Sequence, residues 1–253
     1  MTALVSQRRG VVGPTLVALA AFLVLIGLGT WQLQRKTWKE GLIATLATHL
    51  AEAPTALPAP ATWRDLAPDA DEFRRVKFSG TLMNDREALV YTSGSSFRPD
   101  VSGPGYWVMT PARLSDGRVV MVDRGFVPEG RQDPASRAEG QVSGTMEIAG
   151  ALRWPEPRGT FTPADQPAKN LWFVRDPQAI AAAKGLGQSN PGDVAPFFVE
   201  QETPPAPGGL PKAGPVQPRL PNNHLQYALT WYGLAAVLLG VFAFWLRGRR
   251  QAD

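Results

Sequence analysis

Residues 10–34 read GVVGPTLVALAAFLVLIGLGTWQLQ, a run with no ionisable side chain between Arg9 and Arg35. Its core, Val11 to Thr30, is rich in Leu, Val and Ala. A bilayer core about 30 Å thick is crossed by roughly 20 apolar residues of helix, so this run is long enough to span. A cleaved signal peptide carries only about 7–15 apolar residues ahead of its small-residue cleavage site. Here the A-x-A triplet Ala18-Leu19-Ala20 lies inside the run, which favours an uncleaved transmembrane helix over residues 11–30. A second uncharged run extends from Leu225 to Leu246 and is closed by Arg247, Arg249 and Arg250. Trp31 and Trp245 stand near the ends of the two runs, where membrane proteins carry their aromatic belts.

Two spans put both tails on one side. The tails, residues 1–10 and 247–253, hold Arg8, Arg9, Arg247, Arg249 and Arg250 against the single acid Asp253. The positive-inside rule makes that side cytoplasmic. Arg35, Lys36 and Lys39 pull the other way, but they begin a long connection, and long connections translocate largely regardless of charge. The whole chain has 26 Lys+Arg and 22 Asp+Glu, a formal charge of +4; removing the tails leaves 21 of each. The loop between the spans is therefore formally neutral. Nucleic-acid binding depends on clustered Lys and Arg that neutralise phosphates, so no nucleic-acid partner is expected. The short N-terminal tail does not fit an Arg- and Ser-rich transit peptide. The expectation is a bacterial inner-membrane protein with both termini cytoplasmic and its central domain periplasmic, the simpler reading beside that of an already processed organellar protein.

The chain has no cysteine and two histidines, His49 and His224. Disulfides, thiol redox chemistry and Cys-ligated clusters are excluded, as are metal sites built from several histidines. After the first span Trp31, Leu33, Trp38, Leu42, Ile43, Leu46 and Leu50 recur at helical spacings. This predicts an amphipathic helical extension over 31–51, ended by Pro54 and seeking a partner in the loop domain. His49 reads as a helix-surface residue. Residues 52–202 form the loop domain. Its strands are predicted near Arg74–Leu82, Ala88–Thr92, Tyr106–Leu114, Val119–Val127, Gly144–Leu152, Leu171–Arg175 and Phe197–Gln201. Asp116-Gly117 is a tight-hairpin signal. Asp176 as N-cap, Pro177 as first helical residue and Gly185 as stop mark one short helix. Residues 203–221 hold seven prolines and read as a semi-rigid connector back to the membrane. The fold class is a membrane protein with two transmembrane α-helices flanking a mainly antiparallel-β domain, barrel or sandwich.

Three stretches carry a family resemblance. They are Gly29-Thr30-Trp31-Gln32-Leu33-Gln34-Arg35 with Trp38-Lys39-Glu40, then Val120-Met121-Val122-Asp123-Arg124-Gly125-Phe126-Val127-Pro128. The third is Asn222-Asn223-His224-Leu225-Gln226-Tyr227-Ala228-Leu229-Thr230-Trp231-Tyr232-Gly233-Leu234. Together they resemble the Surfeit locus protein 1 family, assembly factors of cytochrome c oxidase, and the two-span layout extends the resemblance over nearly the whole chain. The first and last stretches are long and specific, and the middle one is weaker. Phe126 stands where the family pattern has Trp, and the Pro-rich run 203–221 matches no placed family feature. The resemblance implies a non-enzymatic role, with no catalytic residue, in building the haem a-bearing subunit of the oxidase. It names oxidase subunit I and the haem a supply machinery as partners, the membrane as location and haem a as a transient cofactor. A histidine at the start of the second span is the family's proposed iron ligand, and His224 matches that position.

The residues themselves leave alternatives open. His224 begins an apolar helix on which positions 224, 227, 228, 231 and 235 share a face. His224, Tyr227, Ala228, Trp231 and Ala235 would set an iron ligand above a shelf of aromatic and small residues. The same residues read equally as an interfacial belt, with His224 bonded to headgroups or backbone carbonyls. Ala236 and Gly240 form a small-xxx-small pair suited to close packing of the two spans or to docking on a partner subunit. Arg124 pairs with Asp123 or a nearby carboxylate beside a backbone bend at Gly125, or it faces a haem propionate. A periplasmic ligand-binding or scaffold protein without haem chemistry is the alternative function, although short tails leave no room for a signalling output. A two-carboxylate hydrolase of the cell envelope ranks last, since nothing in the sequence pairs the acids.

Overall fold

The computed structural model of the protein describes residues 10–95, 97–188, 190–217 and 221–252. Arg8, Arg9, Asp253 and Pro218, which entered the readings of the tails and the Pro-rich run, lie outside the described residues. The chain divides into a helical unit, Met1–Ala44 with Pro221–Asp253, and a globular unit, Thr45–Leu220.

Helix α1 (Val12–Ala51) is uninterrupted and belongs to the helical unit as far as Ala44; helix α4 is His224–Ala252. Both are long and apolar enough to cross a membrane. On α1 the less exposed positions include Thr15, Ala18, Phe22, Leu25, Gly29, Gln32, Lys36 and Lys39, at alternating steps of three and four. On α4 the matching series is Ala228, Trp231, Ala235, Leu238, Phe242 and Trp245. This 3.5-residue period is that of a coiled-coil seam. Lipid tails are as apolar as Leu, so the seam relies on close van der Waals packing over small residues. Ala228 and Ala235 are fully buried in it. Gly29 lies so near Tyr232 that a Cβ would stand 2.6 Å from the ring. The expected pair Ala236 and Gly240 is instead exposed, with open space around Gly240. At 100° per residue these two fall about 100–140° from Ala235, outside the seam.

In the globular unit eight strands form one sheet among the described residues. They are β1 (Thr55–Ala56), β2 (Arg75–Leu82), β3 (Ala88–Gly94), β4 (Ser102–Arg113), β5 (Val119–Pro128), β6 (Thr145–Arg153), β7 (Leu171–Trp172) and β8 (Val194–Thr203). The order β2-β6-β8-β5-β4 closes into a barrel where Thr81 and Leu82 of β2 pair with Arg113 and Ala112 of β4. Of these pairings only β5 with β8 is parallel. The domain is thus a five-stranded barrel extended by β1, β3 and β7. Asp116-Gly117 turns β4 into β5, with Gly117 at φ +89°. Short helices α2 (Pro68–Asp71) and α3 (Pro177–Ala183) flank the sheet. The Asp176 carboxylate accepts from the N–H groups of Gln178 and Ala179, as an N-cap should.

Strand β5 is buried at every residue from Val119 to Val127 because both its faces are covered. Val120 packs with Val76, Leu152, Phe197 and Val199, and Val122 with Leu82, Ala112 and Ile148. Met121, on the other face, joins Val90, Trp107, Met109, Ile180 and Phe198.

The end of α1 completes a third core, in which Leu46 and Leu50 meet Phe73, Phe97, Ala151 and Val216. His49 is tied down there, its Nδ1 lying 2.9 Å from the Glu72 carbonyl oxygen, rather than free on the helix surface. Trp31, Trp38 and Leu42, predicted to share that apolar face, stay exposed. The described part of the Pro-rich run up to residue 217 also departs from expectation, since it lies packed on the barrel. Lys212 exchanges both backbone hydrogen bonds with Phe126, at 3.2 and 2.8 Å, and Val216 is buried beside Leu46. Proline loses its own N–H, but the residues between prolines keep theirs and can pair with a strand.

Gly125 makes this pairing sterically feasible. Its φ is +108°, and a Cβ there would meet the Lys212 carbonyl oxygen at 2.1 Å. Gly103 also has positive φ, +81°, but faces open space. Gly125→Ala is expected to destabilise the domain by about 3 kcal/mol or more, and Gly103→Ala by only about 1–2 kcal/mol. Thermal unfolding of the two variants in detergent measures the difference; equal losses would mean that the contact with Lys212 contributes nothing.

Candidate functional site

The two long sequence motifs meet each other across the helical unit. His224 opens α4 half-buried, and its Nδ1 lies 2.7 Å from Gln32 Oε1. An amide oxygen only accepts, so Nδ1 carries a proton and donates it, which leaves Nε2 as the nitrogen that bears the lone pair whenever the ring holds a single proton. Further into the apolar part of the pair, Thr30 Oγ1 and Tyr232 Oη are hydrogen-bonded at 3.1 Å. Above, Lys39 Nζ donates to the Pro221 carbonyl at 2.6 Å. Asn222 Oδ1 is buried and finds no hydrogen-bond partner among the described residues.

The predicted shelf of five residues does not share one environment. Ala228 and Ala235 are sealed in the seam, Trp231 is half-buried, and Tyr227 turns outward, 56 % exposed. Tyr227 immediately precedes Ala228, which sets it about 100° from that seam position around the helix. Gln32 and Thr30 escaped the sequence reading of site residues. Their signal was a polar side chain inside an uncharged run, which needs a partner to be tolerated in lipid.

Arg124 belongs to the globular unit. Its side chain is buried, Nη1 donates to Asn84 Oδ1 at 3.3 Å, Nη2 donates to the Gly140 carbonyl, and Nε finds no partner among the described residues. Burial pushes the guanidinium down to about 10. The expected pair with Asp123 is absent because neighbours on a strand point to opposite faces. Asp123 Oδ2 instead accepts from Arg175 Nη1 at 2.9 Å, while Oδ1 accepts the Gly125 N–H at 2.9 Å.

Arg175 is the hub of a buried charge network that the sequence reading did not single out. Besides Asp123 it bonds Glu156 and lies 3.4 Å from Glu200. Glu200 is held in turn by Arg153 at 2.7 Å, and Arg153 also reaches Glu72 at 3.1 Å. The guanidinium of Arg153 lies 4.5 and 4.7 Å from the ring centroids of Phe73 and Phe97. Arg175 lies 5.2 and 5.4 Å from those of Phe198 and Trp107. Such flanking rings stabilise a desolvated cation. Burial pushes the Asp123 carboxyl up to about 6 against the downward pull of Arg175. For Arg175 burial opposes the charge, but Glu156, Glu200 and Asp123 outweigh it and hold the group above its ordinary range.

A pair of apolar helices with a polar clasp at one end, joined in sequence to a closed barrel, defines a two-span membrane protein with a large intervening β domain. The chain belongs to the SURF1 family, whose model matches residues 19–236, a stretch that includes the clasp and Asp123-Arg124-Gly125. It is 38% identical over 252 residues to a SURF1-like protein of Monosiga brevicollis, covering 94% of this chain and 89% of that one. It is 36% identical over 225 residues to Surfeit locus protein 1 of Homo sapiens, covering 83% and 70%. With Surfeit locus protein 1 of Rattus norvegicus the identity is 34% over 221 residues, covering 83% and 68%.

The network makes stability depend on pH with a defined sign. Asp123 titrates near 6 when folded against an ordinary 3.8. The folded state therefore binds that proton more tightly, and this group's contribution to stability declines as pH rises from about 4 to about 6. Arg175→Met strands Asp123 and Glu200 without their shared cation and extends the decline upward. The expected loss is about 3–5 kcal/mol at pH 7.5 and less at pH 5, read as melting temperatures of variant and wild type at the two pH values. A deficit that is larger at pH 5 contradicts this account.

Proposed function

We propose that this protein is a cytochrome c oxidase biogenesis factor of a bacterial inner membrane. In this reading it assists delivery of haem a to the haem-bearing oxidase subunit, or stabilises that subunit while haem is inserted. Its termini are cytoplasmic, as the tail charges favour, and the barrel is periplasmic. The observation that carries the haem reading is the His224–Gln32 hydrogen bond. It fixes the tautomer that presents Nε2 as a ligand, and a bond to the other ring nitrogen is how proteins orient metal-binding histidines. His224 would hold the iron through Nε2, with Gln32 positioning the ring and Tyr227 and Trp231 offering aromatic surface on the same turns of α4. Arg124, committed inside the barrel, takes no part. Bound haem would supply the redox centre that the oxidase needs; this chain's residues orient and release it, and no catalytic residue is required. Membership of the SURF1 family supports the assembly role.

The test is the visible spectrum of protein purified in mild detergent from cells that make haem a. Wild type should carry haem, and His224→Ala should lose it. Gln32→Ala should shift the absorption bands and weaken binding about 10–100-fold, with Gln32→Glu restoring both because a carboxylate also accepts from Nδ1. Haem in neither wild type nor variants leaves a scaffold without haem chemistry. Unchanged oxidase content after deletion of the protein would sink the assembly reading itself.

A further inference from the structure

Along α1, outside the seam, Trp31, Arg35, Trp38 and Leu42 follow at steps of four, three and four, so they form one stripe. Trp31 is 51 %, Trp38 56 % and Leu42 42 % exposed. The Arg35 guanidinium lies over the Trp38 ring, 4.4 Å from its centroid. The neighbouring cations are committed elsewhere, Lys36 to Glu40 at 2.7 Å and Lys39 to the Pro221 carbonyl at 2.6 Å. Arg35 makes no hydrogen bond or ion pair with any described residue. No acid precedes Glu40 in the sequence, and none stands between Glu202 and Asp253. Glu40, the one acid among the described residues of the helical unit, is taken by Lys36, so that unit leaves Arg35 without an anion, and Lys39 leaves a second positive charge uncompensated beside it.

Depth matters as much as charge. Arg35 is the first ionisable side chain beyond the uncharged run, with Trp31 one turn inside it. From Trp31 to Trp38 the helix rises about 10 Å, enough to cross the polar headgroup layer of one leaflet, about 5–7 Å thick. An indole has an apolar body for the acyl boundary and an N–H for a phosphate or ester oxygen. A guanidinium is the side chain best matched to phosphate oxygens. A zwitterionic headgroup brings its own cation into a place that already has an excess of positive charge, whereas an anionic one does not.

We propose that the Trp31–Arg35–Trp38 face binds the phosphate of an anionic phospholipid, of the phosphatidylglycerol class, in the leaflet at this end of the spans. Trp38 holds the guanidinium outward from the helix, Arg35 pairs with the phosphate, and Trp31 packs on the glycerol and upper acyl chain. This does not rest on the oxidase reading.

The full chain in dodecylmaltoside micelles is titrated with phosphatidylglycerol, phosphatidylcholine or glycerol phosphate, with melting temperature and lipid retained in native mass spectrometry as readouts. Phosphatidylglycerol should stabilise the wild type and stay bound, and the other two should not. Arg35→Gln, an exposed change, should leave the lipid-free melting temperature in place while cutting phosphatidylglycerol retention about fivefold. Trp38→Leu should also reduce retention by freeing the guanidinium. Equal retention by wild type and Arg35→Gln overturns the proposal, and so does equal stabilisation by phosphatidylcholine. An equal effect of glycerol phosphate overturns it as well, by making this a site for free anions.

Discussion

Burial of the Arg175 guanidinium among Asp123, Glu156 and Glu200 joins parts of the chain that local structure alone would leave separate. Asp123 lies on β5 and Glu200 on β8, the parallel pair inside the barrel, in register with each other. Arg175 arrives from the segment between β7 and α3, and Arg153 from the end of β6. A desolvated cation needs carboxylates at fixed positions, and desolvated carboxylates need the cation in return. Asp123 also accepts the Gly125 N–H, so the bend that admits the Pro-rich strap is held by the same group. The centre of the middle sequence motif therefore has an architectural part, with Asp123, Arg124 and Gly125 each spent on a different neighbour.

The helical unit answers a different solvent with different means. Where burial drives the barrel's cores, lipid gives two apolar helices little reason to associate beyond fit. Small residues supply that fit at Gly29, Ala228 and Ala235. The polar contacts Thr30–Tyr232 and Gln32–His224 are crowded at one end, and the α1 seam positions from Ala18 to Gly29 are apolar. A polar pair at a seam position fixes register in coiled coils, and here it also commits His224 Nδ1 to Gln32 and leaves Nε2 as the second ring nitrogen.

The spans, the hairpin at Asp116-Gly117 and the capped helix after Asp176 were readable because each rests on a local signal. Uncharged length, a turn dipeptide and an N-cap before proline are such signals. Short β-rich segments broken by Gly and Pro placed β2 and β5 correctly, since that composition is written along the chain. Barrel closure was not readable. It rests on two residue pairs joining β2 to β4, and nothing in either strand distinguishes a barrel from a sandwich. The charge network was equally hidden, because Arg175 and Asp123 are 52 residues apart and each looks like an ordinary surface charge. Of the candidate site, His224 was visible as a polar residue at the start of an apolar helix. Gln32 carried only the signal of a polar residue inside an uncharged run, and its partner is set by the packing of α1 against α4. Ala236 and Gly240 do not pack the two spans together, because spacing alone does not tell which face of a helix is the seam.

Strand β8 lies between β6 and β5, although every other barrel strand precedes it in the chain. Until residues 194–203 have been made, β5 and β6 each keep an open edge with no neighbour to pair with. The strap at Lys212 and Val216 is later still. During synthesis the domain must wait as an incomplete sheet, with α1 and four barrel strands already made and its central gap unfilled. Long-range pairings of this kind form slowly and expose strand edges meanwhile. A ribosome stalled or a chain cut anywhere before residue 203 would leave a product prone to edge pairing with other chains, however sound its first span.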